Sequence, residues 1–361
     1  MLQVRLQKQY PPRRDSAGFT LDIGFTAAAG VTVLFGPSGA GKTLTLDSIA
    51  GFVRPEEGRI LLDDQILFDA AARVCLPPRL RRCGYVFQNY ALFPHMTMRR
   101  NLEFAASGSR NLERHRKINE MLERFHLAEV AGRRPHELSG GQKQRGSIAR
   151  ALLGGQRNGG ARVLLLDEPA RGLDVPLRRE LYAVLRQVRG EFGVPLLLVT
   201  HDLEESFELG DEMLVLREGK IVQTGAPSKV LAQPANLDVA RVLGLQNLLP
   251  VEIRALDPSR NSSRLRYHEF DLNGPYFPGR LIGDRVWIHA PPASLNAIPR
   301  EGKPGANQVP ASLTNVIEKP DGLLLQFNGD LAVHIPRAGF EPYRSVREWL
   351  IEFPPASLKI L

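Results

Sequence analysis

Gly36-Pro37-Ser38-Gly39-Ala40-Gly41-Lys42-Thr43 carries the G-x-x-x-x-G-K-T spacing of a phosphate-binding loop. Its glycines let the backbone curl until several N–H groups point inward at one phosphate. The helix that follows adds the positive end of its dipole. Lys42 can reach the β- and γ-phosphates of a nucleotide, and Thr43 can set its hydroxyl on Mg²⁺. Further on, Asp167-Glu168 closes the apolar run Val163-Leu164-Leu165-Leu166. An acid at the end of a buried strand beside a phosphate loop is where a nucleotide hydrolase holds its metal, here Asp167. The next residue points to the other side of the strand end, so Glu168 can polarise an attacking water. Alone, a strand-terminal Asp-Glu is an ordinary solvated turn; the phosphate loop upstream reverses that reading.

A second anion-binding surface lies between these two. In Leu138-Ser139-Gly140-Gly141-Gln142 a serine and two glycines open a helix over Lys143–Leu153, presenting free N–H groups and a hydroxyl. Without the phosphate loop this would be a plain Ser-capped helix. A single chain rarely needs two such surfaces for one γ-phosphate.

The elements that must position these residues are legible in the hydrophobic pattern. Val31–Phe35 reads as a strand, then the Gly-rich turn, then a helix from Lys42. Val163–Leu166 and Leu196–Val199 are continuous apolar runs, as expected of strands buried on both faces. Ile118, Met121, Leu122 and Phe125 follow helical spacing inside a helix-rich, strand-poor stretch, about 95–145. Alternating short strands and amphipathic helices over 1–235 predict an α/β layer fold. After a connector, about 236–250, prolines become frequent and helical periodicity fades. A small all-β domain over 251–361 is expected, clearest from about 285, where Arg285–His289 alternates. Leu323–Phe327 and Leu331–Ile335 flank Asn328-Gly329-Asp330, a hairpin signal because Asn-Gly tolerates positive φ.

Residues 1–235 resemble the nucleotide-binding domain of ABC transporters. Gly36–Thr43 is similar to the Walker A motif, Val163–Glu168 to Walker B and Leu138–Gln142 to the signature motif. Gln88, in Gly84-Tyr85-Val86-Phe87-Gln88, resembles the Q-loop glutamine, and His201, after Leu196–Thr200, the switch histidine. As bare residues, Gln88 and His201 would both read as structural. The resemblance implies a P-loop NTPase fold with an inserted helical subdomain, and ATP and Mg²⁺ as cofactors. It implies Glu168 as the base, with His201 and Gln88 at the γ-phosphate, metal and water, and Thr43, Gln88 and Asp167 around Mg²⁺. It further implies head-to-tail pairing of two copies, each ATP lying between Gly36–Thr43 of one and Ser139, Gly140, Gly141 and Gln142 of the other. Asp174 matches the D-loop in Pro169-Ala170-Arg171-Gly172-Leu173-Asp174, but Arg171 stands where serine is common. The connection Gly154–Ala161 is longer and richer in glycine than usual and reads as a surface loop. For the aromatic that stacks on adenine, Tyr10 is the candidate and Phe19 competes; either would also serve as core.

Within that family, importers with separate membrane subunits carry a carboxy-terminal β domain. Gly225-Ala226-Pro227, Pro234 and Gly244-Leu245-Gln246-Asn247 resemble their connector. A narrower resemblance, to ATP-binding subunits of bacterial molybdate importers, rests on Ile66–Asp69 through Leu76-Pro77-Pro78, on Arg81–Gln88, on Leu92–His95 and on Arg100-Asn101-Leu102. Sulfate, sugar and polyamine importers share several of these residues, and the Asp69-to-Leu76 spacing favours molybdate. The resemblance implies two integral membrane permease subunits, one of whose short helices docks in the groove near Gln88. It implies an external substrate-binding protein, and a place at the cytoplasmic face of the bacterial inner membrane. From about 305 the chain resembles small β domains that bind molybdate-type oxyanions: Ser312 and Asn315 keep part of a Ser-x-x-Asn turn, with Thr314 in place of its arginine. That makes molybdate or tungstate a candidate ligand there, against a purely structural, dimer-stabilising barrel.

Bulk composition agrees with these readings and excludes others. Length of 361 residues favours two domains. Lys and Arg number 47 against 39 Asp and Glu, a formal +8, but the basic residues are scattered (Arg13-Arg14, Arg79–Arg82, Arg99-Arg100, Arg178-Arg179). No basic tract is interleaved with aromatics, so a nucleic-acid groove is not expected, and a basic surface beside anionic headgroups is. Apolar runs fall far short of the ~20 residues that span a bilayer. Cys75 and Cys83 predict neither a disulfide framework nor a metal cluster and read as small apolar residues. A soluble ABC ATPase of DNA repair or translation would need long coiled coils or two cassettes. A non-hydrolysing scaffold would not need Glu168 and His201.

Overall fold

The computed structural model describes residues 1–12, 18–106, 111–154 and 160–361. Arg13, Arg14 and most of the Gly154–Ala161 connection lie outside them. Two compact units divide the chain, Met1–Ala232 and Gln233–Leu361.

In the first unit an antiparallel sheet is built from β1 (Leu2–Tyr10), β2 (Phe19–Ala27), β4 (Glu57–Leu62), β5 (Gln65–Asp69) and β6 (Val74–Cys75), in the order β2-β1-β4-β5-β6. A second sheet takes β3 (Gly30–Phe35), β7 (Cys83–Val86), β8 (Val163–Asp167), β9 (Pro195–Thr200), β10 (Glu212–Arg217) and β11 (Lys220–Gly225), in the order β11-β10-β3-β9-β8-β7. All its pairings are parallel except the β10–β11 edge. Every residue of β8 and β9 is buried, which is why these strands read as unbroken apolar runs. Between the sheets Leu6, Leu21, Leu34, Leu46, Ile49, Phe68 and Leu197 make one core, with helix α1 (Lys42–Ala50) inside it.

The helix-rich stretch contains α2 (Met98–Ala105), α3 (Asn111–Arg124) and α4 (Gly140–Leu153). Ile118, Met121, Leu122 and Phe125 are all buried, as their spacing requires. The amphipathic helix α5 (Val175–Phe192) and the short α6 (Leu203–Leu209) follow β8 and β9.

The second unit is mainly β, with short helices at Leu237–Val242 and Arg337–Phe340. One sheet orders β12 (Leu248–Asp257), β13 (Ser262–Tyr267), β14 (Phe270–Gly274), β15 (Arg285–His289) and β21 (Lys359–Ile360) as β14-β13-β12-β15-β21. The other orders β16 (Asn296–Pro299), β17 (Gln308–Lys319), β18 (Gly322–Phe327), β19 (Leu331–Ile335) and β20 (Glu348–Glu352) as β16-β20-β17-β18-β19. Trp349, Phe353, Ile253 and Leu325 anchor the core they share. The β18–β19 hairpin closes at Phe327 opposite Leu331, but positive φ falls on Gly329 and Asp330 rather than on Asn328. Asn328 instead turns its side-chain oxygen to the Ser312 N–H, at 2.8 Å.

Two sequence readings are corrected. Ser312, Thr314 and Asn315 form no turn: they lie in β17, at a bulge between Leu313 and Asn315 where the strand passes Phe327. The alternation there is broken by the bulge, and this removed the strand signal. Cys75 is exposed rather than packed as an apolar residue, with its sulfur 3.7 Å from Nη2 of Arg81.

Candidate functional site: a phosphate cradle at the strand ends

Parallel pairing aligns four strand ends. Phe35 of β3 lies opposite Thr200 of β9, Val199 opposite Asp167 of β8, and Leu166 opposite Val86 of β7. Gly36, His201, Glu168 and Gln88 each follow one of these ends by one or two residues. Ligands of open α/β sheets bind at the carboxyl ends of the strands, where these residues stand.

Gly39 and Gly41 take φ of +82° and +101°, and a Cβ on Gly41 would sit 2.7 Å from Leu21 Cδ1. Only glycine gives this loop its curl. Lys42 is 6% exposed and folds back along the loop, donating to Gly36 O at 2.7 Å and Pro37 O at 2.9 Å. Burial lowers its pKa, while Glu168 and Asp167 act in the opposite direction. Thr43 Oγ1 donates to Asp167 Oδ1 at 3.1 Å. Burial raises the Asp167 pKa, partly offset by that hydroxyl. A cavity of about 360 Å³ opens over these groups, lined by Ser38, Gly39, Gly41, Lys42, Thr43, Gln88, Asp167, Glu168, Arg171 and Phe19.

Thr43 and Asp167 offer two hard oxygens side by side, the donor chemistry Mg²⁺ takes. Among the described residues no group of three His, Cys, Asp or Glu could hold a metal alone. A Mg²⁺ that draws its remaining ligands from water and phosphate fits this donor set.

Glu168 has φ of +45° and is 16% exposed at its side chain. Its Oε1 lies 3.3 Å from His201 Nδ1, and its Oε2 accepts from Arg171 Nη1 at 2.9 Å. With the Gln88 carboxamide oriented to satisfy its neighbours, its oxygen accepts from Arg171 Nε at 3.1 Å. Arg171, read from sequence only as a departure, thus touches two candidate catalytic residues. Its long fork reaches where serine would not.

Other candidates lie elsewhere. Ser139 caps α4: its hydroxyl accepts from Gln142 N at 3.2 Å, and Gln142 Oε1 accepts from Ser139 N at 3.0 Å. Neither they, Gly140 nor Gly141 lines the phosphate cavity of their own chain. Asp174 caps α5, accepting from Leu177 N at 3.0 Å. Tyr10 is 41% exposed and off the cavity wall, whereas Phe19, its cross-strand neighbour, lines it. Near Gln88 an apolar groove of about 420 Å³ is lined by Tyr85, Phe87, Phe93 and Phe104. In the second unit Ser312 gives its hydroxyl to Glu348 at 2.7 Å, and Asn315 bonds Gln326 at 3.1 Å. No helix among the described residues is long and apolar enough to cross a membrane.

Residues 22–171 match the ABC transporter family model. A molybdenum import ATP-binding protein of Paramagnetospirillum magneticum is 34% identical over 84% of this chain and 83% of its own. One from Rhodospirillum rubrum is 40% identical over 63% of this chain, and a spermidine/putrescine import ATP-binding protein of Nitratidesulfovibrio vulgaris 43% identical over 62%. These two alignments span only 60% and 58% of the relatives' lengths. Among solved structures, cbiO1 of Clostridium perfringens, part of the ABC transporter complex cbiONQ, superposes with TM-score 0.55 at 28% identity, covering 64% of this chain and 90% of that one. The dimeric post-hydrolysis state of an ATP-binding cassette bound to ADP and Pi gives 0.53 at 26%, covering 63% and 99%. A phosphate cradle at aligned strand ends, carried by a sequence this close to those relatives, places the chain in the ABC transporter family, as an ATP-hydrolysing, ATP-binding subunit of an importer.

Proposed function

We propose that two copies of this chain clasp Mg²⁺-ATP between them and hydrolyse it to drive molybdate uptake. The observation that carries the hydrolytic reading is the Glu168 carboxylate, half-buried at a strand end beside Asp167 and 3.3 Å from His201. Glu168 accepts the proton of the attacking water, and His201 orients the base and the γ-phosphate. Lys42 hands its bonds with Gly36 and Pro37 over to phosphate oxygens. Magnesium, when bound at Thr43 and Asp167 with Gln88, neutralises charge on the transferring phosphoryl group.

Head-to-tail pairing is supported by the α4 tip. Ser139, Gly140 and Gly141 present a capped helix start that the phosphate cavity of the same chain does not use. A relative of known structure is dimeric with ADP and Pi. In the Glu168→Gln variant, ATP binding and a stable ATP-dependent dimer are expected while turnover is lost. Parental turnover in that variant would sink the assignment of the base.

The chain sits at the cytoplasmic face of the inner membrane, held there by two permease subunits, with an external binding protein delivering the cargo. The aromatic groove at Tyr85, Phe87, Phe93 and Phe104 is the surface that suits a permease helix. Molybdate as cargo is supported by the molybdenum-import relatives and the Asp69-to-Leu76 spacing. Polyamine import is the second reading, favoured by the 43% identical spermidine/putrescine relative. Cellular molybdenum measured at nanomolar molybdate in a strain lacking the chain decides between them. Loss of molybdenum with normal putrescine uptake is expected, and the opposite pattern selects the polyamine. Ser312 donating to a carboxylate favours a structural second unit over oxyanion binding.

A further inference from the structure

We propose that Arg171 is a positioning residue that sets the hydrolysis rate by holding the Glu168 carboxylate and the Gln88 carboxamide together. The proposal rests on the reading of Glu168 as general base. Two kinds of bond tie Arg171 to Glu168: its backbone N–H donates to Glu168 O at 3.1 Å, and Nη1 to Oε2 at 2.9 Å. The first closes a turn in which Glu168 is left-handed, at φ +45°. The second fixes the direction of the carboxylate that this turn presents. With His201 on the other oxygen at 3.3 Å, both carboxylate oxygens are held, one from each side.

Nε of the same guanidinium reaches the Gln88 oxygen at 3.1 Å, so one planar fork spans the ends of β7 and β8. Lysine has no such fork, and serine reaches neither group. Arg171 lines the phosphate cavity and also the adjoining one of about 130 Å³ that holds Thr200, His201 and Asp202. Its side chain is 58% exposed, so its bonds contribute little to folding, and its effect falls on geometry at the site.

The test uses the full chain with Arg171→Ser, Arg171→Lys and Glu168→Gln. Arg171→Ser is expected to lower kcat about fivefold, the scale of one exposed ion pair near 1 kcal/mol. KM for ATP, and the Kd of a fluorescent ATP analogue in Mg²⁺-free buffer, stay within twofold. Arg171→Lys, which keeps a cation beside Glu168 but not the fork that also reaches Gln88, recovers only part of the lost kcat, and full recovery would overturn the bridging role. Combined with Glu168→Gln, Arg171→Ser lowers the residual rate no further. An unchanged kcat in Arg171→Ser overturns the proposal. Analogue binding that weakens together with kcat also overturns it, because Arg171 would then hold nucleotide itself. An inactive Glu168→Gln beside a normal Arg171→Ser defeats this proposal alone, whereas an active Glu168→Gln defeats the reading of the base.

Discussion

Nη1 of Arg81 donates to the carbonyls of Ser48 at 2.7 Å and Ile49 at 2.9 Å, from a side chain with no solvent exposure. Nε adds a third bond, to Leu76 O at 2.8 Å. A buried cation therefore closes the carboxyl end of α1, the helix whose amino end forms the phosphate cradle. Gly51, at φ +90°, makes the room: a Cβ there would lie 2.6 Å from Nε. Arg81→Met leaves three carbonyls without this donor, so a stability loss of roughly 3 kcal/mol is expected. The urea midpoint of the ATPase unit measures it. A midpoint within error of the parent would show that the carbonyls find other partners.

Arg81 also marks where sequence reasoning stops. The phosphate loop, Asp167-Glu168 and Ser139–Gln142 were legible because their chemistry lies in residue type and short spacing. The strands around them were legible because burial on both faces leaves apolar runs. Arg81 read as a member of one of four scattered basic clusters, since its acceptors at 48, 49 and 76 meet it only in the fold. Arg171 was visible as a departure, but its bonds with Glu168 and Gln88 depend on a turn at positive φ that no motif announces. Ser312–Asn315 was misread because a bulge erases the period-two signal.

Asn247 shows a connector motif becoming packing chemistry. Its Nδ2 donates to Ala290 O at 2.9 Å and Ala332 O at 2.8 Å, and its Oδ1 accepts from Ala332 N at 2.7 Å. It does so at φ +54°, which asparagine tolerates. Asn247→Ala orphans one buried N–H and two carbonyls and is expected to cost about 3 kcal/mol. Asn247→Asp keeps the acceptor but sets a carboxylate against two carbonyls, so it rescues little. Thermal melting of the three proteins checks this, and a full rescue by aspartate would contradict the bonding described.

Glu205 is 2% exposed on α6, with Oε1 unpaired, and its pKa is pushed up to about 7. Burial is the main cause; Asp202 and Glu168 push the same way, while Thr200 and Arg178 oppose them. The folded state therefore keeps a proton that the unfolded chain loses near pH 4.5. Its contribution to stability is complete below that pH and is lost as pH rises toward 7, by roughly 3 kcal/mol at most. Glu205→Gln carries no such loss. The variant is expected to melt several degrees above the parent at pH 8, with the gap closing at pH 5. An equal gap at both pH values would assign the effect to packing.

Asp167 sets a cost in stability against a function. Burial raises its pKa, so the ionised carboxylate is held at some expense in the empty protein. The same charge, beside the Thr43 hydroxyl at 3.1 Å, is what a magnesium ion requires. Asp167→Asn keeps an acceptor for Thr43 and removes the buried charge. Melting temperature without nucleotide is therefore expected to rise. Turnover falls by about a hundredfold or more, since the metal supplies several kcal/mol of charge stabilisation to phosphoryl transfer. Binding of an ATP analogue in EDTA should survive, while its enhancement by Mg²⁺ disappears. If Asp167→Asn still showed that enhancement, the metal would have to be held by other groups, and Thr43 and Gln88 would be the first to vary.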